Sequence, residues 1–289
     1  MIKNIVGGIL IGGANIIPGV SGGTIIVMLG IFDKTMSSIS NLFKIKISWK
    51  ERLEAFKFLF TLMIGVGIGL VVFAKILTFL FDKFPNQTLA CFSGLILFSL
   101  PSLKKQEMKD SKISIISFIA GILLIGALVF FSQGTGELTV SLEEIVSKTL
   151  DIKYILTLFL LGAISGGAMI FPGISGSMVL LILGWYHLFK GYVANVTSFE
   201  PNIIIGLIII ALGVGIGIIL SAKLTTYLLN KHRTGTMSFI LGLILMSAIT
   251  IIPLKGYNVV TVITSILTFI LGAILVTLLE KKNLKEKNE

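Results

Sequence analysis

Two short stretches, IIPGVSGGT at 16–24 and IFPGISGSM at 170–178, place proline, glycine and hydroxyl residues inside apolar surroundings. Proline and glycine are the residues least compatible with a helix interior. Each stretch therefore breaks whatever helix its flanks would form. The two breaks belong to a longer correspondence. Residues 12–32 align without gaps to 166–186, with 10 identities in 21 positions, and 65–99 align to 213–247, with 16 in 35. Self-similarity on this scale marks a duplicated unit. The chain divides into a first repeat over 1–132, an acidic linker over 133–152, a second repeat over 153–279 and a basic tail over 280–289.

Apolar runs recur at 58–81, 113–131, 154–186, 203–229, 237–254 and 258–279, and only 13% of residues are charged. A soluble domain carries about 25%, and about 20 apolar residues let a helix cross a bilayer. These runs predict an all-α polytopic membrane protein. The N-terminus lacks the pattern of a cleavable signal and is expected to be retained. Cys91 is the single cysteine, which excludes an intrachain disulfide and a cysteine metal cluster. The net charge is +10, but the lysines cluster in short loops. That distribution points to membrane topology and contact with phospholipid headgroups rather than to nucleic acid.

Each repeat holds one broken segment (5–32 and 155–186) and three clean spans, near 57–82, 86–103 and 112–132, then 202–229, 236–254 and 258–279. If both broken segments dip into the membrane and return, the second repeat is inverted relative to the first. One side then carries 16 basic residues and the other 5. If each broken segment crosses, the bias disappears. The positive-inside rule therefore selects an inverted repeat, each half a re-entrant broken-helix hairpin plus three transmembrane helices, with both termini cytoplasmic. Residues 5–17 form about 20 Å of helix, enough to pass the middle of a hydrocarbon core about 30 Å thick.

Two such tips meeting near the midplane from opposite faces form the kind of break at which transporters bind substrate. Pro18 and Pro172 end the descending half-helices. Ser21 and Ser175 stand at the N-caps of the returning ones, whose first amides lack intrahelical partners. Gly19, Gly22, Gly23, Gly173 and Gly176 let an anion approach the backbone. Asn15, Thr24 and Ser177 are candidate side-chain donors. The plainer alternative is that these small residues serve helix packing. Packing is the expected role of the two GVGIG runs, at 65–69 and 213–217.

Lys75 and Lys223 are the charges deepest in clean spans. Each either meets an anionic headgroup from its own side or snorkels to the interface. His187 takes the repeat position of Asp33, at the mouth of its hairpin, and can titrate near neutral pH. Residues 41–57 read as a basic amphipathic stretch lying on the inner leaflet.

The paired GGANIIPGVSGGT and GGAMIFPGISGSM motifs resemble those of the bacterial polyprenyl-phosphate transporter family, over essentially the whole chain. That resemblance implies a plasma-membrane flippase returning undecaprenyl phosphate from the outer to the inner leaflet. The second motif departs from the first at Met169 for Asn15 and at Ser177-Met178 for Gly23-Thr24, so the two tips carry unequal donors. No cofactor or metal is expected. Return against an inside-negative potential costs about 2.3 kcal/mol per charge per 100 mV, so coupling to protons or another cation is expected. Two other functions fit the tips less well. A polyprenyl-diphosphate phosphatase needs a base, metal or basic clamp, and neither tip carries Glu, His, Asp or Arg. A small-anion transporter or channel shares the same backbone chemistry, and a flux comparison separates it.

Overall fold

The computed structural model describes residues 2–15, 21–108, 111–132, 150–252 and 258–288. Every regular element among them is helical. The first half contains α1 (Ile2–Asn15), α2 (Gly22–Met28), α3 (Phe32–Leu42), α4 (Trp49–Lys83), α5 (Pro85–Met108) and α6 (Ile115–Ser132). The second contains α7 (Ile152–Ala168), α8 (Gly176–Ile182), α9 (Tyr186–Ala194), a 3-10 turn (Val196–Ser198), α10 (Pro201–Lys231), α11 (Arg233–Thr250) and α12 (Val259–Asn288). The linker 133–149 lies outside the described residues. The helices α4, α6, α10, α11 and α12 are long and apolar enough to span a bilayer. α5 has the length, at 24 residues, but is not among them. It carries Asn86, Gln87, Thr88, Ser93 and Ser99, and it buries several of these against other helices.

Glycine sets how closely these helices pack. On the face between α1 and α4, a Cβ added to Gly8, Gly12, Gly65 or Gly69 would lie 2.2 Å from a carbonyl oxygen of the opposite helix. The same contact recurs between α7 and α10 at Gly162, Gly166, Gly213 and Gly217, which occupy the corresponding repeat positions. Only hydrogen fits at such distances, so backbones touch, as small residues allow in membranes. Gly67 and Gly215 meet nothing within 4 Å. The GVGIG runs are thus packing surfaces in which the outer glycines carry the contact. A second equivalent pair joins the halves. Gly94 of α5 abuts Phe269 of α12, and Gly242 of α11 abuts Phe118 of α6, each with a Cβ-to-carbonyl distance of 2.1 Å. The third long helix of each half therefore packs on the second long helix of the other.

Within each pair, residue numbers ascend together. Asn4 donates to Thr61 at 3.2 Å, and farther along Gly13 faces Phe73. Phe159 faces Gly213, and Ala163 faces Gly217. α1 runs alongside α4 in the same direction, and α7 alongside α10. Between α1 and α4 the chain must turn back, and α2 and α3 are where it does so. α2 ends at Gly30 (φ 64) and α8 at the equivalent Gly184 (φ 78). At both ends the next amide reaches back five residues, Ile31 to the Ile26 carbonyl and Trp185 to that of Leu180. This left-handed termination favours glycine. α3 then leaves α2 at 117° and packs Phe32 and Met36 into the central core, with Ala222, Leu229, Ile240 and Ile244.

The stretch 41–57 is not one amphipathic helix. α3 ends at Leu42, and α4 starts at Trp49 and continues unbroken into its span. A capping box causes this start: the Ser48 hydroxyl accepts from the Glu51 amide, and the Glu51 carboxylate accepts from the Ser48 amide, both at 3.2 Å. Two satisfied donors at one point fix where the helix begins.

Candidate functional site

The two breaks meet in the interior. The Gly173 amide donates to the Thr24 hydroxyl at 3.1 Å, and Thr24 is fully buried. Beside this bond, Gly23 faces Ile170 and Pro172 so closely that a Cβ would sit 3.3 Å from each. Gly173 (φ 82) rests against Leu243 and Ser247 of α11. Pro18 and Gly19 lie outside the described residues.

The two tips are chemically unequal. In the first, Asn15 folds its side chain over the start of α2, where its Oδ1 accepts from the Gly22 amide at 3.0 Å. Ser21, the N-cap, accepts from the Gly23 amide through its hydroxyl at 3.2 Å and from the Thr24 amide through its carbonyl at 2.9 Å. The first three amides of α2 are all occupied by the chain itself.

In the second tip, Met169 takes the place of Asn15. Its side chain lies against Gly176, as that of Asn15 lies against Gly22, but a thioether is a poor acceptor. Ser175 has N-cap backbone angles and makes no side-chain cap. Its hydroxyl pairs instead with that of Ser177 at 2.7 Å, on an exposed surface. The amides of Gly176, Ser177 and Met178 have no acceptor among the described residues. Ser165, buried on α7, adds a hydroxyl beside Gly176. The second tip thus offers unoccupied donors, which is what an anion needs.

Of the residues expected at the site, the structure assembles Asn15, Ser21, Gly22, Gly23, Thr24, Pro172, Gly173, Ser175, Gly176 and Ser177. It does not bring Lys223 to them. That side chain is exposed on α10, two residues past Ser221, which faces Gly167. Two residues turn a helix by about 200°, so Lys223 points away from the second hairpin. The Lys75 side chain lies outside what the structure describes.

Sequence reasoning missed Ser165 and Ser247, each supporting the second tip. Ser247 had a visible signal, because it and Ser99 close the longer repeat alignment. A further cluster was also missed. Arg233, at the start of α11, bridges Asp33 of α3 and Glu107 of α5, with its Nη2 2.7 Å from the Glu107 carboxylate and its Nε donating to the Glu107 carbonyl at 3.1 Å. The repeat equivalents of Arg233 and Asp33 are Pro85 and His187, which cannot form this bridge. His187 stacks edge-on against Tyr186, and its Nε2 is buried without a partner among the described residues.

Spanning helices interlocked at glycine contacts, with two interrupted helices joined tip to tip, define a polytopic membrane protein built around a central polar break. The chain belongs to the undecaprenyl phosphate translocase-like family, whose model matches residues 11–266. It is 29% identical over 274 residues to the polyprenyl-phosphate transporter of Staphylococcus aureus, covering 94% of this chain and 93% of that one. It is 34% identical over 257 residues to the polyprenyl-phosphate transporter of Vibrio cholerae, covering 86% and 76%. No solved structure matches it.

Proposed function

We propose that this protein carries polyprenyl phosphate across the bacterial plasma membrane, from the outer to the inner leaflet, without chemistry on the lipid. The phosphate binds at the re-entrant tips, and the isoprenoid chain stays in an apolar environment. The observation that carries this reading is the set of unoccupied amides at Gly176, Ser177 and Met178, beside the Ser175 and Ser177 hydroxyls. The names of the relatives point to the same lipid.

The parallel registers of α1 with α4 and of α7 with α10 support two re-entrant hairpins. The crossed packing of α5 on α12 and of α11 on α6 supports halves of inverted orientation. With the basic loops cytoplasmic, the first hairpin enters from inside and the second from outside. The Arg233 bridge then ties the cytoplasmic ends of α3, α5 and α11. A structure tied on the inside, with its outward hairpin unsatisfied, suits capture of a lipid anion from the outer leaflet. Net inward charge movement needs a coupled cation or proton.

The test is transport of labelled polyprenyl phosphate by purified protein in liposomes, with labelled sulfate and polyprenyl diphosphate in parallel. Lipid transport without phosphate release or sulfate flux is expected. Phosphate release from the diphosphate would identify an enzyme, and sulfate flux alone a small-anion carrier.

A further inference from the structure

Beside the second tip an apolar groove of about 400 Å³ runs between α6 and α7. Leu124 and Leu128 line it from α6 and Ile164 from α7, together with Phe171, Ile174 and Ser221. Leu124 is 38% exposed and Ile164 49%, so the groove opens sideways, toward the space that lipid fills around a spanning helix. Its inner end abuts the tip: Ile174 and Val179, both in its lining, flank the unoccupied amides of 176–178.

The two halves differ at one position beside the hairpin. Gly167 faces Ser221 of α10, whose hydroxyl would lie 2.8 Å from an added Cβ. The corresponding Gly13 faces Phe73, whose ring would lie at 2.9 Å. The repeat places Ser221 opposite Phe73. An aromatic ring faces the glycine in one half, and a small hydroxyl faces it in the other.

We infer that this groove is the subsite for the first isoprene units of the lipid, and that Ser221 keeps it open. The inference rests on the tip holding the phosphate. A polyprenyl phosphate joins its apolar chain directly to a phosphate oxygen. Its chain therefore starts one atom from the headgroup, as the groove starts beside the amides. A diacyl phospholipid interposes a polar glycerol diester, for which the apolar lining next to the tip offers no partner. The groove thereby selects among membrane anions, while the tip supplies the attraction.

The test uses the full chain in liposomes and a polyprenyl phosphate bearing a diazirine on its first isoprene unit. Crosslinks are expected on α6 and α7 residues bordering the groove. Ser221→Ala should leave labelling unchanged, whereas Ser221→Leu and Ser221→Phe should lower it progressively, with Phe costing about tenfold or more, the scale of discrimination by filled apolar pockets. Phe73 shows that the ring fits against a facing glycine. Leu124→Trp fills the groove from α6 and should act like Ser221→Phe, which keeps the test decisive if either variant misfolds. In both, affinity for polyprenyl phosphate should fall relative to that for inorganic phosphate. A failed tip assignment has a different signature: Ser175→Val would leave both affinities intact. Crosslinks mapping elsewhere, wild-type labelling in the groove-filling variants, a loss in Ser221→Ala as large as in Ser221→Phe, or equal labelling by a diazirine phospholipid would each overturn the inference.

Discussion

The hydroxyl of Thr24 accepts the Gly173 amide at 3.1 Å, joining residues 149 positions apart. It is the point at which two interrupted helices, one from each half of the chain, touch through polar atoms. Thr24→Val keeps the shape and removes the acceptor, leaving a buried amide unpaired. A loss of about 1–3 kcal/mol is expected, together with reduced lipid transport. Thermal unfolding in detergent and the liposome assay read the two effects, and an unchanged melting temperature would contradict the junction.

The difference between the tips comes down to Asn15 and Met169, which occupy equivalent places over Gly22 and Gly176. Met169→Asn should cap the second tip as Asn15 caps the first, a helix-end contact worth about 1 kcal/mol. Stability should rise while competition by inorganic phosphate weakens. Asn15→Ala should do the opposite to stability. Phosphate competition unaffected by Met169→Asn would mean that the Gly176 amide does not hold the anion.

The glycine contacts make a paired prediction. Gly65→Ala and Gly213→Ala each drive a methyl to 2.2 Å from a backbone oxygen. Backbone cannot yield as a side-chain tip can, so a loss of about 1–3 kcal/mol or more is expected. Gly67→Ala and Gly215→Ala, one turn-half away, meet nothing. They should be neutral or stabilising by about 0.5–1 kcal/mol. Melting temperatures of the four variants check this.

Arg233 joins three helix ends through Asp33 and Glu107. The bridge is partly exposed, and such pairs contribute about 1 kcal/mol or less. The expected consequence of Arg233→Ala is a small shift between conformations rather than unfolding. A change of about fivefold in that equilibrium follows from an energy of this size. Accessibility of a reporter cysteine placed at residue 37 to a membrane-impermeant thiol reagent measures it. Arg233→Lys should restore only part, because an ammonium cannot grip two carboxylates with a planar fork.

The sequence alone determined the number and approximate limits of the long helices. Most boundaries follow from runs of apolar residues interrupted by charge, a local property, but α4 starts at Trp49, ahead of the expected 57, at the Ser48 capping box. It also determined the duplication and the Ser21 and Ser175 cap positions, because those rest on residue identity at fixed spacing. The packing role of GVGIG was legible for the same reason. What the sequence did not determine was which cap donors remain free. Asn15 reads as a candidate side-chain donor, and in the fold its Oδ1 accepts from the Gly22 amide. Lys223 reads equally as a headgroup contact or a snorkelling lysine, and its phase on α10 turns it outward. The helical α3 and α9 were hidden because their weakly apolar sequences acquire structure from packing, α3 against α10 and α9 against α8 and α10. The Arg233 bridge and the Ser221 groove depend on residues far apart in the chain. Periodicity reports which face of a helix is apolar. Only the tertiary structure decides what that face meets, and so which hydrogen-bond donors and which empty volumes are left for a ligand.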